Sequence, residues 1–155
     1  MKKILFVCHG NICRSPMAEF VMKDLVKKVG LASQFHIESA ATSREEIGNP
    51  VYPPARAELK CHNVYCDDGK YAIQLKKSDY DRYDLFVVMD SNNVRNIRRI
   101  FKDDPENKIH KLLEYAGRND DVSDPWYSRR FDVAFADIYE GCSALLNELT
   151  ENKNV

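Results

Sequence analysis

The chain has 155 residues, 44% of them apolar, with 23 Lys+Arg against 24 Asp+Glu and a net charge of −1. That length is expected to fold as one domain over residues 1–155, and the charge balance excludes the basic footprint of a nucleic-acid or anionic-membrane binder. Nothing nears the roughly 20 apolar residues of a spanning helix, the apolar run after Met1-Lys2-Lys3 is too short for a signal peptide, and five cysteines are an odd count, so a cytoplasmic protein with free thiols is expected.

The first predicted element is a strand at Ile4-Leu5-Phe6-Val7, a continuous apolar run suited to burial on both faces. Ser15-Pro16 is predicted to open a helix, with Ser as N-cap and Pro in the first position. Met17, Phe20, Val21, Leu25 and Val29 give it an apolar stripe, and Gly30 a stop. Residues 35–41 alternate loosely and are predicted as a second strand. Residues 43–54 carry Gly48, Pro50, Pro53 and Pro54 and are predicted as loop, followed by a short helix over 54–59. Residues 60–78 are polar and give no clear pattern.

A third strand is predicted at Leu85-Phe86-Val87-Val88-Met89, then a helix over 90–101 with Val94, Ile97 and Phe101 in phase and Asp90 as its cap. A last strand is predicted at 109–113 and a loop at 116–129. The clearest helix closes the chain, with Phe131, Phe135, Ile138, Cys142, Leu145 and Leu149 spaced by three and four residues. Strand and helix alternate throughout, so the expected class is α/β: three α/β/α layers around a parallel sheet. Ligands of such sheets sit beyond the carboxyl ends of the strands, so the loops after residues 7, 41, 90 and 115 are expected to converge.

The first of those loops, Cys8-His9-Gly10-Asn11-Ile12-Cys13-Arg14-Ser15, joins a buried strand to a helix N-terminus. Free N–H groups and the helix dipole make that an anion site. Gly10 permits a turn that other residues resist, and Asn11 tolerates the left-handed region. Cys8 at the mouth has surroundings that favour a thiolate nucleophile. The planar fork of Arg14 suits two oxygens of a tetrahedral oxyanion, and the Ser15 hydroxyl can donate to the sulfur. Cys13 lies close enough in sequence for a disulfide with Cys8, if geometry allows. Cys61 and Cys66 flank His62, but no second ligand pair follows, so a zinc site is the weaker reading. Cys142 fits the last helix's core stripe.

Phe6-Val-Cys-His-Gly-Asn-Ile-Cys-Arg-Ser-Pro-Met-Ala-Glu19 resembles the signature of the low-molecular-weight protein tyrosine phosphatases. Met89-Asp90-x-x-Asn93, Asp124-Pro125-Trp126-Tyr127 and Gly141-Cys142-x-x-Leu145-Leu146 are similar to family patterns in the same order. The resemblance implies a flavodoxin-like sheet of four parallel strands. It implies hydrolysis of protein phosphotyrosine and small aryl phosphates through a cysteinyl-phosphate, with inorganic phosphate released, no cofactor, and a monomer. Cys8 is then the nucleophile and Arg14, with His9 to Ser15, the phosphate-binding loop.

Asp124 takes the general acid's place, although Asp120, Asp121 and Asp132 are close enough in sequence to compete and a capping role is the ordinary one for Asp before Pro. Trp126 and Tyr127 are expected to wall a slot for a flat ring, or else to cap the core. The family's usual aromatic before Gly48 is replaced by Arg44-Glu45-Glu46-Ile47, with Tyr52 a partial substitute; two acids at the rim should disfavour acidic phosphopeptides. Asn11 and Ser39 look like the residues that support the loop, and Cys13 like a redox guard for Cys8. Thioredoxin-linked arsenate reductases share the fold and the loop and are the alternative, with Cys61 and Cys66 as relay candidates. A phosphoarginine phosphatase would favour Thr where Ile12 stands.

Overall fold

A computed structural model describes residues 1–151. Its strands form where the apolar runs lie: β1 Lys2–Cys8, β2 Phe35–Ala41, β3 Leu85–Val88 and β4 Ile109–Lys111. They pair in parallel in the order β2-β1-β3-β4. β1 is central, with Cys8 opposite Ala41 on one side and Val7 opposite Val88 on the other. Its residues alternate between two cores. Ile4, Phe6 and Cys8 join one with Met17, Phe20 and Val21 of helix α1 (Arg14–Lys28) and Ile138, Cys142 and Leu145 of the closing helix, Phe131–Glu151. Leu5 and Val7 join the other with Phe86, Val88, Ile97 and Phe101. Burial on both faces is why β1 reads as an unbroken apolar run rather than an alternating one.

The remaining helices are α2 Pro53–Cys61, α3 Ser91–Phe101, α4 Pro125–Ser128 and α5, the closing helix just given. No helix among the described residues is long and apolar enough to cross a membrane. α3 begins as expected. Asp90 accepts from the Asn93 N–H at 2.7 Å, while the Asn93 side chain accepts from the Met89 and Asp90 N–H groups at 3.0 and 3.1 Å.

Several boundaries differ from the sequence reading, each for a physical reason. α1 starts at Arg14, so Pro16 is its third residue; Cys13 occupies the cap position without a side-chain cap. The Ser15 hydroxyl is engaged below the loop instead, and Cys13 O receives the Met17 N–H at 3.1 Å. β4 ends at Lys111, because Glu114 accepts from the Lys111 N–H at 3.0 Å and Leu112–Ala116 tightens into a 3₁₀ turn. The 116–129 loop contains α4, capped by Asp124. The unassigned 60–78 segment has one ordered stretch beside the sheet. Ala41 N donates to Ile73 O at 2.7 Å and Leu75 N to Ala41 O at 2.8 Å, a parallel bridge on the open edge of β2 at its last residue.

Candidate active site

The four loops at the carboxyl edge of the sheet line one cavity of about 610 Å³. Cys8 to Arg14 come from the loop after β1, Glu45 and Glu46 from the loop after β2, Asp90 and the polar face of α3 from beyond β3, and Asp124, Trp126 and Tyr127 from beyond β4. The convergence expected from topology is present.

The loop after β1 is held by its carbonyls. Thr42 N–H donates to Cys8 O at 3.0 Å, Ser43 N–H to His9 O at 3.1 Å, and Tyr52 N–H to Ile12 O at 2.9 Å. The N–H groups of Gly10, Ile12 and Cys13 have no protein acceptor among the described residues. A loop whose carbonyls are tied to its neighbours while its N–H groups stay free is an anion cradle. The left-handed residue in it is Asn11, with φ of 61°. Gly10 does not adopt positive φ; what it provides is room, since a Cβ there would lie 3.3 Å from Glu46 Cγ.

Beneath the cradle runs a buried polar chain. Ile73 N–H donates to Asn11 Oδ1 at 3.2 Å, which fixes the amide orientation. Asn11 Nδ2 then donates to Ser15 Oγ at 2.8 Å and Ser39 Oγ at 2.9 Å. Ser39 donates to Glu19 Oε1 at 2.6 Å. Ser15 Oγ lies 3.0 Å from Cys8 Sγ. Because the Asn11 amide is only a donor to it, the Ser15 proton is free to point at the sulfur. The Asn11 N–H also reaches Cys8 Sγ, at 3.4 Å. Asn11, Ser15 and Ser39 therefore stand together below the cradle. Glu19 was not singled out from sequence; its place at a buried position on the inner face of α1, among apolar neighbours, is the signal that could have found it.

Arg14 is only 4% exposed. Its Nη1 donates to Val122 O at 2.9 Å, and its Nη2 lies 2.9 Å from Asp90 Oδ2 and 3.5 Å from Asp124 Oδ2. Burial works against its charge, but the negative charge available on Cys8, Asp90 and Asp124 outweighs that and raises its pKa. Asp90 is thus both the cap of α3 and an anchor for the guanidinium, the second role unforeseen. Its position at the carboxyl end of β3 was the available clue.

Asp124 Oδ1 accepts from the Trp126 N–H at 3.0 Å while Oδ2 faces Arg14. The competing carboxylates lie elsewhere: Asp120 is paired with Arg118, Asp121 with Lys111 and Asp132 with Arg130, and none lines the cavity. Trp126 and Tyr127 do line it. Tyr52 does not. Its ring packs 5.1 Å behind Trp126 and 6.1 Å from Phe131, and its hydroxyl accepts from Arg129 at 3.1 Å, so it braces a wall rather than forming one.

All five cysteines are free thiols. Burial first, then the neighbouring Cys8 and Asp124 charges, push the Cys13 thiol up to about 12. Cys142 is fully buried, and burial raises its pKa too. Cys61 is exposed at the end of α2 and Cys66 half-buried against the core; neither lines the cavity. His62 between them stacks 3.8 Å over Phe135 and pairs with Glu58 at 2.8 Å. No three His, Cys, Asp or Glu side chains among the described residues are grouped to hold a metal ion.

A family model described as low molecular weight phosphotyrosine protein phosphatase matches residues 3–155. The chain is 35% identical over 157 residues to the low molecular weight protein-tyrosine-phosphatase YfkJ of Bacillus subtilis, with 100% of both chains covered. It superposes on the crystal structure of YfkJ with a TM-score of 0.94, covering 99% of this chain and 97% of that one. The low molecular weight protein tyrosine phosphatase SP-PTP of Streptococcus pyogenes is 38% identical, with a TM-score of 0.86 and coverage of 96% and 93%. A Drosophila arginine phosphatase is 28% identical, with a TM-score of 0.86 and coverage of 96% and 98%.

Proposed function

The chain belongs to the low molecular weight phosphotyrosine protein phosphatase family, and from that premise we propose that it hydrolyses protein phosphotyrosine and small aryl phosphates through a phosphorylated Cys8. The observation that carries the reading is the meeting of Cys8, Arg14 and Asp124 around one cavity beside a loop with free N–H groups.

The phosphate enters the cradle with its oxygens on the loop amides and the Arg14 guanidinium. Cys8 sulfur attacks phosphorus in line with the departing phenolic oxygen. Negative charge spreads over the equatorial oxygens, which the same donors already face. Asp124 gives its proton to the leaving oxygen. In the second half it takes a proton from water, which attacks phosphorus and expels the Cys8 thiolate, with the Ser15 hydroxyl donating to that sulfur. The charge is carried by Arg14 and the backbone, so the scheme calls on no metal or cofactor.

Asp90 keeps the guanidinium in place, and the Asn11–Ser15–Ser39–Glu19 chain keeps the loop in place. Cys13 is proposed as a guard. Peroxide oxidises Cys8 to the sulfenic acid, and the Cys13 thiol displaces water from it to form a disulfide that a thiol reductant reopens.

The reading is tested by phosphate release from p-nitrophenyl phosphate and from phosphotyrosine, phosphoserine and phosphoarginine peptides in the presence of EDTA, with arsenate reduction by a thiol donor run in parallel. The expected outcome is turnover of the two aryl substrates, lost in Cys8→Ser. Preference for phosphoarginine, sensitivity to EDTA, or arsenate reduction without aryl-phosphate turnover would contradict it.

A further inference from the structure

The cavity extends well past the cradle, along the exposed side of α3. Asn92, Arg95, Asn96 and Arg99 all line it. Their spacing of three and four residues puts them on one face of the helix, while Ile97 and Phe101 are buried on the other. Arg95 donates to the neutral Asn92 side chain. Neither Arg95 nor Arg99 has a carboxylate partner among the described residues, in contrast to Arg14, Arg56, Arg82, Arg118 and Arg130. The cavity wall along α3 therefore carries two guanidiniums with no carboxylate partner among the described residues.

The opposite rim has the opposite sign. β2 and β3 flank β1 on its two sides, so the loop after β2 and helix α3 flank the cradle from opposite sides. The first presents Glu45 and Glu46 to the cavity. Glu45 is 2.9 Å from His9, and Glu46 accepts from Asn49 at 2.6 Å without a cation. The two rim acids that the sequence suggested would repel acidic substrates therefore occupy one side only.

We propose that Arg95 and Arg99 bind an acidic side chain of the phosphotyrosine substrate while Glu45 and Glu46 face a basic one, so that the enzyme reads the charge polarity of the peptide around the phosphotyrosine. This rests on the phosphatase reading above. From the 1.5 Å helical rise, Arg95 and Arg99 lie about 7.5 and 13.5 Å along the axis from Asp90. An extended peptide advances about 3.3 Å per residue, so the acid belongs roughly two to four residues from the phosphotyrosine.

The test uses three phosphotyrosine peptides of equal length: one with acids before and bases after the phosphotyrosine, its mirror, and a neutral one. At low salt one of the two charged orders is expected to exceed the neutral peptide in kcat/KM by about 3–10-fold, with its mirror at or below neutral. The ratio should fall toward one in the double variant Arg95→Gln/Arg99→Gln, should fall partly in Glu46→Gln, and should shrink as salt is raised. Equal rates for both charged orders and the neutral peptide, or an unchanged ratio in the arginine variant, would overturn the proposal. Hydrolysis of p-nitrophenyl phosphate, which carries no flanking charge, separates the two levels. If it proceeds and the peptide ratios are flat, only the polarity reading falls; if it fails together with all three peptides, the phosphatase reading falls as well.

Discussion

Asp124 has two partners with different demands. Its Oδ1 caps α4 and its Oδ2 faces Arg14, so one carboxyl serves the local fold and the site together. The two roles separate experimentally. Loss of a cap costs about 1 kcal/mol of stability whatever the substrate. Loss of a proton donor costs about 10²–10⁴-fold in turnover, and only where the leaving oxygen needs the proton. In Asp124→Ala the dependence of kcat/KM on leaving-group basicity is therefore expected to steepen, with alkyl and weakly acidic phenyl phosphates losing far more than p-nitrophenyl phosphate. The same loss across the series would remove Asp124 from the chemistry. The residues of this site that were legible in sequence are those whose meaning is local. Cys8, Asn11, Arg14 and Ser15 sit at one strand-to-helix junction, and their proposed roles follow from that setting. The Asp90–Arg14 pair, the Glu19 contact and the two cavity-lining arginines were not legible, because each depends on how separate elements are placed around β1.

At the scale of elements, the helices with strong apolar periodicity and the strands with unbroken apolar runs were found. The errors lie where a polar side chain, not periodicity, sets the boundary. Ser15 is drawn under the cradle rather than over its helix end, and Glu114 cuts β4 short. Asp104 does similar work before β4, accepting from the Tyr80 hydroxyl at 2.6 Å and from the Lys108 and Ile109 N–H groups at 2.8 and 3.1 Å. Burial alone would raise its pKa, but these bonds outweigh it and hold the carboxyl below its ordinary value. A carboxylate whose folded pKa is depressed contributes stability above its unfolded pKa of about 4 and loses it as pH falls through the folded value. Asp104→Asn is accordingly expected to cost about 1 kcal/mol in urea unfolding at pH 7, the low end for bonds to a charged acceptor because solvent reaches this one. The gap to the unsubstituted protein should narrow below pH 4. A gap equal at both pH values would mean that the charge contributes nothing.

In the whole molecule one rule of parallel sheets places the cavity: ligands gather beyond the carboxyl ends of the strands, and the four loops meet there. What that rule does not give is the sign of each rim. A net charge of −1 is spread so that α3 presents guanidiniums to the cavity and the loop after β2 presents carboxylates. A global charge near zero is therefore compatible with the proposed phosphate site, since that site is made by loop amides and one buried arginine. The decisive step of the proposed reaction is the passage of phosphorus through Cys8. Its most direct test is acid quench of Asp124→Ala during turnover of p-nitrophenyl phosphate, whose good leaving group forms the phosphoenzyme readily while the missing base slows its hydrolysis, followed by proteolysis and mass spectrometry. The expected result is one phosphoryl group on the peptide containing Cys8, at Cys8 itself, and none when Cys8→Ser is added. A phosphoryl group on His9, or continued turnover in the Cys8→Ser protein, would contradict the account.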